Sequence, residues 1–155
     1  MNIEKDLKRY KLKTDESGKL YDPIRQIFVP STPEEYVRQR MIKYLIGRMK
    51  VPAEKIVVEQ GLVKFGVNDE ADKKKRIDIG FYGDYNDLAA IIECKAYSIK
   101  DKEAPYAQAR SYVRSLKIPA YFVTDGVLLE GYNYYYETDQ FVKMDGIPTY
   151  EELCV

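Results

Sequence analysis

Lys73–Lys95, KKKRIDIGFYGDYNDLAAIIECK, reads as two strands around a turn. Ile77, Ile79 and Phe81 alternate with Asp78, Gly80 and Tyr82, the polar stretch Gly83–Asp87 reverses the chain, and Leu88–Lys95 returns as a mostly apolar run. One antiparallel register sets Ile77 against Cys94, Ile79 against Ile92 and Phe81 against Ala90, giving a continuous apolar face. A slip by one residue would send that whole set to the wrong side. In the same register Asp78 stands opposite Glu93 on the second face, and Lys95 joins them because strand side chains repeat with a period of two.

Two carboxylates set directly opposite each other repel, and neither gains a packed partner. A divalent cation removes that objection. Mg²⁺, with Mn²⁺ as a substitute, takes hard oxygen ligands, commonly one or two carboxylates, and leaves its other positions to water and phosphate. A lysine beside such an ion can orient a water, assist its deprotonation, or stabilise charge that develops on a phosphoryl group. The plainer reading is a surface hairpin whose Asp, Glu and Lys make ordinary ion pairs, and the spacing alone leaves both open.

The length of 155 residues suits one domain with a single sizeable core, expected as an N-terminal arm (1–20), a core (21–136) and a C-terminal extension (137–155). No apolar run approaches the ~20 residues needed to span a bilayer, and MNIEKDLKRYKLK lacks a signal core, so a cytoplasmic protein with no membrane partner is expected. Cys94 and Cys154 are too few for a disulfide framework or a zinc site. The sequence contains no histidine, which removes Ser-His-Asp and Cys-His triads, His-ligated zinc and every nuclease chemistry that uses a His base. Carboxylate and metal chemistry survives that filter. The formal net charge is zero, so any contact with nucleic acid must come from local clusters, of which Lys73, Lys74, Lys75 and Arg76 form the clearest. A solvated loop explains that run equally well.

Along the chain, residues 1–20 read as a short helix or a loose arm. Thr32-Pro33-Glu34-Glu35 is a helix start, with Thr32 as N-cap, Pro33 in the first turn and Glu35 completing a capping box; the helix is expected to reach about Met49. Ile56–Lys64 reads as a strand with Gly61 as a bulge or close approach. A second helix, from about Pro105 to Leu116, carries Gln108 and Tyr112 one turn apart on one face. Ile118–Thr124 reads as a buried strand, parallel to Leu88–Lys95 because a helix connects them. The tyrosines at 132, 134, 135 and 136 suit a half-buried sheet face better than base stacking. A further strand at Gln140–Met144 and a short helix from Pro148 complete the pattern.

Five pieces in order resemble the PD-(D/E)XK nuclease superfamily, and within it the N-terminal nuclease domain of the restriction subunit of type I restriction enzymes. They are Asp22-Pro23-Ile24-Arg25 with Thr32-Pro33-Glu34-Glu35-Tyr36-Val37-Arg38-Gln39; Arg76-Ile77-Asp78; Glu93-Cys94-Lys95; Gln108-Ala109-Arg110-Ser111-Tyr112; and Val123-Thr124-Asp125-Gly126. Ile77 stands where the superfamily's name has proline. The resemblance implies a restriction-endonuclease-like α/β fold, with a central mixed sheet of four or five strands flanked by helices, and a Mg²⁺-dependent endonuclease acting on DNA in restriction or DNA processing. It implies Asp78 and Glu93 as metal ligands with the Cys94 carbonyl, Lys95 as the residue that assists the water, and Gln108 and Tyr112 as residues that orient Lys95 or a phosphate. Glu35 is implied as a supporting acid that approaches the metal. The partner implied is DNA, and since no G-x-x-x-x-G-K-[ST] loop occurs in the 155 residues, the protein either works alone or has its motor and specificity subunits as separate chains. A homodimer would supply one centre per DNA strand. The alternatives are a domain of nuclease descent that binds nucleic acid or acts as a scaffold without cutting, and a domain whose carboxylates only make ion pairs.

Overall fold

The computed structural model describes residues 1–154; Val155, the last residue of the expected extension, lies outside them. In chain order the elements are α1 (Glu4–Lys8), β1 (Leu20–Asp22), β2 (Ile27–Val29), α2 (Pro33–Gly47), β3 (Ile56–Gly61), β4 (Arg76–Tyr82), β5 (Leu88–Cys94), α3 (Ala104–Leu116), β6 (Ala120–Thr124), β7 (Leu129–Tyr135), β8 (Gln140–Lys143) and α4 (Tyr150–Cys154). Strands β3 to β8 form one mixed sheet in sequence order, and β1 pairs with β2 in a separate ribbon. All neighbours in the large sheet are antiparallel except β5 and β6, which are parallel as the helical crossover through α3 requires. The α/β class is as expected, with six strands in the sheet rather than four or five. The additional strand is β7, from the tyrosine-rich tail, and β8 is the strand expected at Gln140–Met144. Tyr132 stacks on Tyr121 with ring centroids 5.0 Å apart, and Tyr134 on Phe141 at 4.8 Å. These aromatic pairs hold β7 in the sheet between β6 and β8, on the half-buried face that its tyrosines suit.

Each face of the sheet carries its own core. On one side α1 and α2 cover Val58, Ile79, Phe81 and Ile92 with Ile3, Leu7, Met41 and Leu45. On the other, α3 covers Ile91 and Tyr121 with Ala109, Tyr112 and Val113. The first residues form a short helix rather than a loose arm: Ile3 and Leu7 are buried, and the Ile3 N–H donates to the Val127 carbonyl at 2.8 Å. Among the described residues no helix is long and apolar enough to cross a membrane.

Two element ends differ from expectation. Helix α2 closes at Gly47, two residues before Met49, because Lys50 turns to φ 63° and Val51 precedes Pro52, which biases it away from helix. Strand β3 stops at Gly61, where Leu62–Phe65 winds into a 3-10 turn. Its irregularity lies at Glu59 instead, with φ 53° and no ladder partner between the pairs Val58 with Ile79 and Gln60 with Ile77.

Candidate active site

The start of α2 sets the first wall. Thr32 Oγ1 accepts the Glu35 N–H at 3.1 Å, which fixes the first turn and turns Glu34, Glu35, Arg38 and Gln39 toward the sheet. The expected capping box is only half made. The Glu35 carboxylate does not return to the Thr32 N–H, which donates to the Pro30 carbonyl at 3.0 Å; it accepts from Arg25 Nη2 at 2.8 Å, from Gln39 Nε2 at 3.0 Å and from Arg38 Nη1. Asp22, fully buried, ties the β1–β2 turn to this helix. Its Oδ1 accepts the Ile24 and Arg25 N–H groups at 2.8 and 2.9 Å, and its Oδ2 accepts Arg25 Nε and Gln39 Nε2 at 2.7 and 2.9 Å.

The open end of β4 and β5 sets the second wall. Ile79 pairs with Ile92, Gly80 with Ile91 and Phe81 with Ala90, in the expected register. The ladder goes no further toward the site: Ile77 does not pair with Cys94, nor Asp78 with Glu93. A buried N–H requires an acceptor, and the Cys94 N–H finds it in Asp78 Oδ2 at 2.8 Å. On its other flank Asp78 faces the break at Glu59, so its carboxylate is free of both ladders and reaches Arg38 Nη2, 3.2 Å from Oδ1. The distortion also moves Ile77 into the α3-side core, away from Ile79 and Phe81, so the single apolar face expected from alternation is broken at this end.

Glu93 and Lys95 lie beside this break. Glu93 is 1% exposed, and among the described residues neither carboxylate oxygen has a hydrogen-bond partner. Lys95 Nζ stands 3.5 Å from Glu93 Oε1, an ion-pair distance rather than a hydrogen bond. Burial, and after it the charge of Asp78, pushes the Glu93 carboxyl well above the ordinary carboxylate range against the opposing pull of Lys95. Burial alone would depress the Lys95 ammonium, but Asp78, Glu93 and Glu34 together hold it above its usual value, so it is charged. Arg38 forms ion pairs with Glu34 at 3.4 Å, Glu59 at 2.9 Å, Asp78 at 3.2 Å and Glu35.

The α2 carboxyl whose charge acts on Lys95 and Asp78 is Glu34, raised mainly by its own partial burial; Glu35, expected to approach the ion, is taken up by Arg25, Arg38 and Gln39. Sequence reasoning placed Asp22, Glu34 and Arg38 within the resemblance but gave them no role, and it did not single out Glu59. The visible signal was the spacing of Glu34, Glu35 and Arg38 on one turn of helix. On α3, Gln108 Nε2 donates to the Tyr112 hydroxyl at 2.5 Å, so the two share a face as expected and Gln108 is half-buried rather than solvated. Tyr112 is buried, its phenol raised by that burial and, more weakly, by Glu93 and Asp78. Among the described residues no hydrogen bond links Gln108 to Lys95. The basic run is held locally: Lys73 pairs with Glu70 at 2.6 Å, Lys75 with Asp72 at 2.7 Å, and Arg76 donates to the Glu59 carbonyl at 3.3 Å, which leaves Lys74 as its freest charge among the described residues.

Among the described residues no three His, Cys, Asp or Glu side chains group closely enough to cage an ion unaided. A two-carboxylate centre for Mg²⁺ fits nonetheless. Glu93 has two buried oxygens with nothing to bond to, and Asp78 uses only part of the acceptor capacity of its two oxygens.

Residues 33–148 match the family model for the type I restriction enzyme R protein N terminus. None of the curated proteins compared with the chain matches it. The matched span opens at the first residue of α2 and closes beyond β8, so it carries Glu34, Arg38, Asp78, Glu93, Lys95 and Gln108 within one family-defined segment. The chain belongs to the type I restriction enzyme R protein N-terminal family.

Proposed function

We propose that this domain is a PD-(D/E)XK-type endonuclease that hydrolyses DNA phosphodiester bonds with Mg²⁺ or Mn²⁺. The observation that carries the proposal is Glu93, an acid buried beside Asp78 and Lys95 with both oxygens unbonded. Leaving such a group unpaired costs about 1–3 kcal/mol or more, a cost that a bound cation reverses. Asp78, Glu93 and the Cys94 carbonyl would hold the ion, which when bound supplies a Lewis acid for the phosphate and a more acidic water. Lys95, kept protonated by the carboxylates around it, meets the negative charge that grows on the phosphoryl oxygens. Glu35 works from behind: it fixes Arg38 and Arg25, and so the position of α2 against Asp78. Gln108 and Tyr112, bonded to each other, orient Lys95 or a substrate phosphate from α3. Lys73, Lys74, Lys75 and Arg76 lead into β4 and approach the DNA backbone near the centre. In this reading the domain works in the cytoplasm with separate motor or specificity subunits.

One observation favours a non-cleaving domain of the same descent. Arg38 already holds a cation against Asp78 Oδ1, as a guanidinium would in a site that has exchanged metal for an ion pair. Incubation of supercoiled plasmid with wild type and Lys95→Ala, each with and without Mg²⁺ or Mn²⁺, decides between the two. Metal-dependent cutting lost in the variant supports the nuclease; DNA binding with no cutting in any buffer supports the scaffold.

A further inference from the structure

Beyond Lys95 a cleft of about 420 Å³ opens between the β5–α3 connection and β7, within the range of small-ligand sites. Glu130 lines it; its Oε2 accepts hydrogen bonds from the hydroxyls of Tyr106 and Tyr132 at 3.0 and 3.1 Å, and its Oε1 pairs with Lys143 at 3.6 Å. Burial works to raise the Glu130 carboxyl, but the two phenols and Lys143 outweigh it and keep it charged. Lys95, Lys102 and Tyr97 line the cleft as well. Tyr97 is 63% exposed, and Lys102 Nζ sits 4.7 Å from its ring centroid. An exposed tyrosine alone needs no explanation. This one stands on the lip of a nucleotide-sized cleft that also contains the lysine of the active site.

We propose that the cleft takes an unpaired nucleotide of the DNA strand whose phosphate lies at Lys95, a reading that rests on the nuclease proposal. The arrangement of charge decides the orientation. The Glu130 carboxylate repels phosphate and accepts an amino or imino N–H from a base edge, as acidic side chains do toward cytosine. The ammonium groups of Lys95 and of Lys102, which is held at the Tyr97 carbonyl, suit the flanking phosphates, and Tyr97 offers the base the ring face that Lys102 does not cover. Arg110, whose Nε donates to the Tyr121 hydroxyl at 2.8 Å, lines the cleft too. A paired base presents no free face to Tyr97 and cannot reach Glu130, so the site selects single strands, frayed ends or displaced strands over intact duplex.

The test reads binding in EDTA, where no cutting occurs. A fluorescein-labelled oligo-dC of about eight nucleotides, alone or annealed to its complement, is titrated by anisotropy with wild type, Tyr97→Ala and Tyr97→Phe. Wild type should hold the single strand more tightly than the duplex. Tyr97→Ala should weaken single-strand binding by about tenfold and leave duplex binding unchanged, and Tyr97→Phe, which keeps the ring, should restore it. A preference for duplex, or Tyr97→Ala equal to wild type on the single strand, overturns the proposal. Its failure is distinct from that of the nuclease: a protein that binds single strands through Tyr97 but never cuts plasmid in Mg²⁺ keeps the cleft and loses the enzyme. One that cuts while Tyr97→Ala binds as wild type does the reverse.

Discussion

Glu93 is buried on a sheet next to another acid and is given no donor, so its charged form is destabilised by its surroundings. Its folded pKa lies above its unfolded one. The stability it contributes is therefore present below the ordinary carboxylate range and is lost as pH rises toward the folded value, since the unfolded chain releases the proton first. In EDTA, wild type should accordingly lose stability from about pH 4 up to about 9, and Glu93→Gln, which cannot ionise, should show a flatter profile in thermal unfolding. The same variant should bind duplex at least as well as wild type and cut plasmid slower by on the order of 10²-fold or more. A mutant destabilised equally in EDTA and in Mg²⁺ would make Glu93 a structural ion-pair partner and refute the metal role. Arg38 is the complementary case. It is a nearly buried cation with four acids around it, so its removal leaves Glu34, Glu35, Glu59 and Asp78 in mutual repulsion. Arg38→Ala should cost about 3–5 kcal/mol by chemical denaturation, and Mg²⁺ should recover more of that loss than it adds to wild type, because the ion replaces part of the missing charge. Equal Mg²⁺ effects on both proteins would place Arg38 outside the electrostatics of the ion site.

Elements built from local rules were readable, and those that depend on distant partners were not. Thr32 and Pro33 announce α2 because capping is decided within one turn. The β4–β5 register follows from alternation over a single hairpin. The break at Asp78 does not, because Arg38 contacts Glu59 and Asp78 across 21 and 40 residues of sequence, and only folding reveals that Asp78 serves a strand N–H and a helix guanidinium together. Glu35 illustrates the same limit: its position fits a capping box, yet donors from Arg25, Arg38 and Gln39 compete for it and win. The β1–β2 ribbon escaped notice since each strand is only three residues long. Its structural purpose is concentrated in Asp22, which burial pushes up but which hydrogen bonds from Arg25 and Gln39 bring below its ordinary value overall. A depressed carboxylate contributes stability above its unfolded pKa and loses it as pH falls through the folded one. Asp22→Asn should therefore cost about 1.5–3 kcal/mol at neutral pH, with the gap to wild type closing in acid. An equally large gap at pH 2 would show that the loss comes from packing rather than charge.

At the scale of the whole molecule, charge is balanced and the chemistry is concentrated. Equal numbers of acids and bases, 25 of each, leave no general attraction for DNA, while most of the acids near the sheet's open end are gathered around Arg38 and Lys95. In the proposed function such a surface gives DNA binding a shallow dependence on salt. The two halves of the sheet divide the work. Strands β3 to β5 carry the carboxylates, and β6 to β8 with their tyrosines support the cleft beside Lys95. Each chain thus presents one pair of acids, Asp78 and Glu93, and one charged lysine, enough for one phosphodiester at a time. In the proposed reaction a duplex has two strands of opposite polarity, so a single encounter should leave a nick, and a double-strand break should require a second centre. Time courses on supercoiled plasmid at low protein concentration should then show nicked circles accumulating before linear DNA, with the linear fraction rising steeply as concentration is raised. Twofold pairing of chains is the simplest way to bring two centres together, and sedimentation at the same concentrations should show dimers appearing where linear product does. Linear DNA formed without a nicked intermediate by a protein that sediments as a monomer would mean that one chain cuts both strands, and would refute the single-centre reading.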